Sequence, residues 1–383
     1  MARSIYIHWP FCARKCPYCD FNSHVREEVD VDRWQRALIK DMRAEAEITE
    51  RKPLKSVFFG GGTPSLMPPQ LVENLLAEAQ SLWGFDGEIE ITLEANPSSV
   101  EAAKFAALSN AGVNRISIGI QSFDDKALKF LGRLHSANEA LEALDTARAH
   151  FERVSFDIIY ALPGQSAADW RTMLRQALSF GTDHLSLYQL TIEPGTRFAS
   201  DVRRGLMHPL DDDSAAELYE ITQEMTAAAG LPAYEISNHA MPGQESRHNL
   251  TYWRYQDYIG IGPGAHGRRA NVATERHKKP ENYLRQCEIG ADGTRIAREL
   301  AANEQLSESL LMGLRLTEGV DLAKLSGAFS IPVDAMFDQG KLDLHLGLEL
   351  LWRDGDRLGV TAKGMPLLNA LLAEIIAHEV ALA

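Results

Sequence analysis

Cysteine is scarce in this chain, with four in 383 residues. Three of them, Cys12, Cys16 and Cys19, sit in one short loop, so a disulfide framework is excluded and the distribution points to a metal site in a reducing compartment. Cys287 stands apart and reads as an ordinary core or surface thiol. No run of about 18 apolar residues occurs, so no integral membrane protein is expected. The opening MARSIYIHWP lacks the apolar stretch of a secretory leader, and the expectation is a mature chain that starts here and stays cytoplasmic. Positive charge is in deficit, 39 Lys and Arg against 53 Asp and Glu, for a formal net charge of -14. That balance disfavours broad attraction to nucleic acid or an anionic membrane, while a local basic patch remains compatible with it.

What is present is a globular composition, 45% apolar and 24% charged. The length suffices for one large α/β barrel with a smaller domain, or for two or three ordinary domains. Up to about residue 195 one unit recurs: a short β-branched or aromatic run, a loop, then a segment with helical periodicity. The strand candidates are SIYIHW (4–9), SVFFG (56–60), EIEITLE (88–94), RISIGI (115–120), SFDIIY (155–160) and HLSLYQL (184–190). Helical patterns fall between them at 31–50, 69–82, 100–111, 137–149 and 167–180. Six strands alternating with helices predict a parallel sheet, curled by right-handed crossovers into an incomplete (β/α)6 barrel over 1–211.

Residues 212–290 read as a helical and loop-rich extension: a helix at 214–229, then YEISNHA and the aromatic, glycine-dense RHNLTYWRYQDYIGIGPGAHG. Residues 291–383 carry helical patterns at 305–316 and 321–329, an Asp-Gly hairpin within LELLWRDGDRLGVT and a last helix at 365–377. This tail predicts a small α+β domain of winged-helix type. Such folds often bind DNA, but the acidic balance argues against a nucleic-acid partner, and packing against the barrel is expected instead.

The segment HWPFCARKCPYCDF follows the first strand and spaces its thiols CxxxCxxC. Three thiolates in one loop can hold three corners of a cubane 4Fe-4S cluster and leave the fourth iron without a protein ligand. S-adenosylmethionine (SAM) can chelate such an iron through its amino and carboxylate groups, as open catalytic metal sites share their coordination with a small molecule. Zinc is the competing reading, with His8 or His24 as a fourth ligand, yet structural zinc normally takes paired ligands and no second CxxC exists.

The carboxyl ends of parallel barrel strands converge on one mouth, where ligands bind. After the second strand comes GGGTP, whose glycines let backbone approach a ligand closely. LEANP places Glu94 after the third strand, GIQS places Gln121 after the fourth, SFDIIYALPG carries Asp157, and LYQLTIEPGT carries Tyr188 and Glu193. Barrel mouths need polar residues in any case, so each alone reads as structural; their recurrence at one face carries the weight.

Taken in order, CxxxCxYC, GGGTP, LEANP, GIQS, DIIYALPGQ and YQLTIEPGT resemble the radical SAM family of oxygen-independent coproporphyrinogen III oxidases and the related HemW-type heme chaperones. The resemblance covers residues 4 to about 270 closely and the C-terminal part more loosely. It implies an α/β fold, an incomplete parallel (β/α)6 radical SAM barrel followed by a small winged-helix-like domain. It also implies that Cys12, Cys16 and Cys19 ligate the cluster, and that Tyr6, Tyr18, Gly61, Gly62, Thr63, Glu94, Gln121, Arg133 and Asp157 contact SAM.

Three features separate the two branches. The oxidases carry a further cysteine two positions after the third ligand, where this chain has Phe21. They also carry an extension ahead of the motif, where only five residues precede Tyr6, and HNLTYW (248–253) matches the HNxxYW motif of the chaperones. The resemblance therefore implies a chaperone that binds the cluster, SAM and heme and passes heme to a respiratory acceptor protein, with a heme donor protein as a further candidate partner. The alternatives are oxidative decarboxylation of coproporphyrinogen III and another radical reaction on an unknown substrate, since the cysteine loop reports the initiator and not the target. A neutral histidine is a usual axial heme ligand, and Tyr252 and Trp253 offer flat apolar surface, so His248 is the expected ligand. His239 and His266 compete for that role, and a hydrogen-bonded anchor of the aromatic loop is the other role open to His248.

Overall fold

The computed structural model describes residues 2–290, 292–377 and 380. The six expected strands are all present as β1 (Ser4–Trp9), β2 (Leu54–Gly61), β3 (Phe85–Ala95), β4 (Arg115–Gln121), β5 (Arg153–Tyr160) and β6 (His184–Gln189). Two more, β7 (Asn238–Ala240) and β8 (Ile259–Ile261), extend the same sheet, whose spatial order is β8-β1-β2-β3-β4-β5-β6-β7. Neighbours are parallel except β6 and β7. The segment read as a helical, loop-rich extension thus supplies both edge strands of the barrel sheet. Each is three residues long, too short for a period-two pattern to be read.

The pleat explains how a strand serves both core and site. Along β4, Ile116, Ile118 and Ile120 are fully buried in the main apolar core. Ser117, Gly119 and Gln121, one position out of phase, line the barrel interior. Helices α1 (Val31–Ile48), α2 (Pro69–Trp83), α3 (Ala137–His150), α4 (Ala167–Ser179) and α5 (Asp212–Ala228) lie among the strands. Their starts follow the capping chemistry of the sequence: Asp30 accepts from the Arg33 amide, and Ser136 and Ser166 each open a reciprocal capping box.

A buried ionic clamp fastens the edge of the barrel to the extension. Arg276 is fully buried, its Nε 3.1 Å from Asp41 Oδ1 and its Nη2 2.8 Å from Glu45 Oε1, both on α1. Asp41 also accepts from Tyr283 OH at 2.8 Å and from the Gly293 amide at 3.1 Å. Removing one partner of such a network strands an uncompensated charge. Asp41→Ala is therefore expected to lower unfolding stability by about 3–5 kcal/mol, as read by chemical denaturation; a loss within error would show that the clamp contributes nothing net.

The C-terminal part builds its own core around Leu306, Leu310, Leu358 and Leu372. Helix Ala302–Gly313 precedes a small antiparallel sheet of Val320–Asp321, Arg357–Val360 and Leu351–Asp354, helices Leu322–Phe329 and Gln339–Gly347 fall between its first strand and the hairpin, and helix Leu368–Ile375 follows. The Asp-Gly hairpin pairs Leu351–Asp354 with Arg357–Val360, and Gly355 takes the left-handed φ of +55° that the turn needs. A second antiparallel sheet, His266–Arg269, Val272–Arg276 and Thr294–Glu299, runs across residue 290. The C-terminal part docks on α6 (Arg247–Trp253): Arg254 pairs with Glu318 at 2.8 Å and Arg315 lies over the Trp253 ring. Cys287 is buried in the main core.

Candidate cluster and cofactor site

The cysteine loop is closed by its own backbone. Phe11 and Cys12 pair in parallel with His24 and Val25, and the Cys19 amide donates to Cys16 O at 3.2 Å. The GGGTP turn packs beneath it, the Gly62 amide donating to Trp9 O at 2.7 Å and the Thr63 amide to Phe11 O at 2.8 Å. A Cβ on Gly62 would stand 2.7 Å from Phe11 O, so only glycine permits this approach. All three thiols are free and half-buried, and burial pushes those of Cys12 and Cys19 up.

Side chains beneath the loop form one connected chain. Thr63 Oγ1 donates to Cys12 Sγ at 3.4 Å, and Asn96 Nδ2 donates to Thr63 Oγ1 at 3.1 Å. Arg133 donates to Asn96 Oδ1, to Gly119 O at 2.8 Å and to Cys16 Sγ at 3.6 Å. One guanidinium is thereby tied to Cys16 directly and to Cys12 through Asn96 and Thr63. Sequence reading missed Asn96, although it stands two positions beyond Glu94 in LEANP.

These groups face a cavity of about 330 Å³. Apart from Tyr6, every residue expected to touch the cluster or SAM lines it. Glu94 and Asp157 project into it from β3 and β5. Burial, and then the charge of Asp157, push the Glu94 carboxyl up to about 8; burial pushes Asp157 to about 6. Gln121 holds a φ of +68°, and its Oε1 and Arg133 Nε are buried without partners. Strain and unspent hydrogen-bonding capacity at one cavity mark a place for a polar ligand. Among the described residues no three His, Cys, Asp or Glu groups converge as a single-ion site. Cys12, Cys16 and Cys19 are three free thiols lining one cavity, the donor chemistry that a cluster with thiolates at separate corners would take.

A second cavity, about 580 Å³, adjoins the first and shares Lys15, Asp20, Phe21, Ser23, Gly61 and Glu94 with it. Tyr6 lines it, its hydroxyl 2.9 Å from His8 Nδ1. His248 lines neither cavity. It is buried, Nδ1 is 2.9 Å from Ser56 Oγ, Nε2 is 2.8 Å from Tyr252 OH, and its ring stacks on Phe58 at 4.8 Å. Burial lowers its pKa to about 3. Both ring nitrogens are committed, so this geometry does not offer His248 to heme iron, and its place is that of an anchor for the aromatic loop. His239 is also fully buried and lines neither cavity, whereas His266 is exposed at the edge of the second.

A parallel barrel with a three-thiol loop after its first strand and buried carboxylates at later strand ends defines a radical SAM protein. Residues 6–177 match the Radical SAM superfamily and residues 300–367 the HemN C-terminal domain. The chain belongs to the HemW family: it is 36% identical to the heme chaperone HemW of Escherichia coli K12 over 98% of each chain. It is also 39% identical to the mouse radical S-adenosyl methionine domain-containing protein 1, mitochondrial, across 97% of this chain and 87% of that one. The solved coproporphyrinogen III oxidase HemN from Escherichia coli superposes with a TM-score of 0.82 over 97% of this chain and 89% of its own, at 20% identity, a likeness of fold. Among the described residues no helix is long and apolar enough to cross a membrane.

Proposed function

We propose that this chain is a cytoplasmic heme chaperone that holds a 4Fe-4S cluster on Cys12, Cys16 and Cys19, binds SAM beside it, and passes heme to a respiratory acceptor protein. The observation that carries the reading is a match along essentially the whole chain to relatives named heme chaperones. The cluster, when bound, supplies one iron open to a small chelating ligand. The chain's own residues do the positioning. Arg133 places a cation at Cys16 and would meet a ligand carboxylate in the cavity, while Gly61 and Gly62 would let the methionyl part lie against backbone. Glu94 and Asp157 line the same cavity and would present carboxyls to polar groups of SAM. In this role the cluster and SAM gate heme loading and transfer, and turnover of a tetrapyrrole is not required.

Anaerobically reconstituted full-length protein given reductant, SAM and coproporphyrinogen III is expected to form no protoporphyrinogen, while ferric heme added to the same protein is expected to bind with a distinct Soret band. Decarboxylation stoichiometric with SAM consumed, or heme left unbound, would overturn the reading.

A further inference from the structure

We propose that His266 ligates the iron of the bound heme in the second cavity, with the macrocycle against Tyr252 and Tyr258 and the propionates facing Lys15 and Lys278; this rests on the heme-chaperone reading above. Three histidines border that cavity. His8 is spent, Nδ1 on Tyr6 OH and Nε2 on Asn22 O, each at 2.9 Å. His24 Nε2 is 3.2 Å from Asn22 Oδ1. His266 alone among them is exposed with neither ring nitrogen hydrogen-bonded among the described residues.

Its backbone is nonetheless rigid. His266 begins a strand, pairs with Glu275, and follows the buried Ala265 and the turn glycine Gly264, whose φ is +80° and whose Cα side is closed by Asn22. An accessible imidazole on a fixed backbone is what an axial ligand requires. Aromatic rings line the same cavity. Tyr252 and Tyr258 meet edge to face at 4.5 Å, and Tyr252 is held by its bond to His248 Nε2. The histidine of the HNLTYW motif thus acts through Tyr252, as a positioning residue one step removed from the ligand.

Charge agrees with the same occupant. Lys15 and Lys278 are exposed on the rim and form no ion pair among the described residues of a chain whose net charge is -14. Asp20 lies on the same rim and Glu94 on the wall shared with the first cavity, so the two lysines are the groups there that would meet propionates. A volume of about 580 Å³ lies within the range of small-molecule sites. The shared wall at Gly61 and Glu94 gives the two cavities a physical route to influence one another.

The test is titration of ferric heme into full-length reconstituted protein, followed by absorption and electron paramagnetic resonance, for wild type, His266→Ala and the Lys15→Gln, Lys278→Gln double variant. His266→Ala is expected to move the Soret band, change the heme spin state and weaken binding at least roughly tenfold, and free imidazole is expected to restore the wild-type spectrum. The double variant is expected to weaken binding by roughly tenfold without moving the Soret band. An unchanged spectrum and affinity in His266→Ala would overturn the assignment while leaving the chaperone reading intact. A wild-type protein that binds no heme would overturn the reading itself. Imidazole rescue separates lost ligation from a misfolded variant, which free imidazole would not repair.

Discussion

Alanine at any one of Cys12, Cys16 or Cys19 is expected to abolish cluster assembly, taking iron in anaerobically reconstituted protein from roughly four per chain to near zero. The one other cysteine, Cys287, is buried in the main core, and among the described residues no alternative trio of ligands converges. Two thiolates cannot hold three corners, and the remaining irons would be exposed to water and chelators. Cys287→Ala serves as the matched control and is expected to keep its full iron content. Because burial pushes the Cys12 and Cys19 thiols up, and a thiol must lose its proton to bind iron, loading is also expected to fall off as pH drops below neutral. Iron and sulfide analysis with absorption spectra decides the matter. A full complement of iron in any single variant would show that another group ligates the cluster.

Much of this site was legible in the sequence because its chemistry sits in short contiguous runs. CxxxCxxC, GGGTP and LEANP each follow a strand with clear β-branched content, and a parallel barrel brings strand ends together without further information. The edge strands β7 and β8 were not legible, since three residues give no period and their pairing depends on partners far away in sequence. Asn96 was equally hidden. Its importance lies in touching both Thr63 and Arg133, a relation set by tertiary packing. His248 shows a different limit. The motif correctly marked a histidine embedded among aromatics, but residue type cannot say whether an imidazole faces a ligand or is spent on Ser56 and Tyr252. Burial and the second hydrogen bond decide that, and neither is written in HNLTYW.

The paired carboxylates make a strong prediction about pH. Glu94 is pushed up to about 8, by burial first and then by the charge of Asp157, while burial takes Asp157 to about 6. A folded-state pKa above the ordinary carboxylate value means that the protonated form stabilises the fold. That contribution is fully present below about pH 4 and is lost as pH rises through about 6 for Asp157 and about 8 for Glu94. SAM-free protein is therefore expected to melt at a lower temperature at about pH 8.5 than at about pH 5. Glu94→Gln keeps the shape and an oxygen to accept from the Gly61 amide, which lies 3.3 Å from Glu94 Oε2, but cannot ionise. The variant should match wild type at the acidic end and exceed it at the alkaline end by an amount on the order of 3 kcal/mol. SAM, bringing positive charge against these carboxyls, should stabilise wild type more at alkaline than at acidic pH, and the variant should lose most of that gain. Parallel stability curves for wild type and Glu94→Gln across the range would mean that Glu94 carries no strained proton, and would remove the electrostatic reason for placing a cationic cofactor beside it.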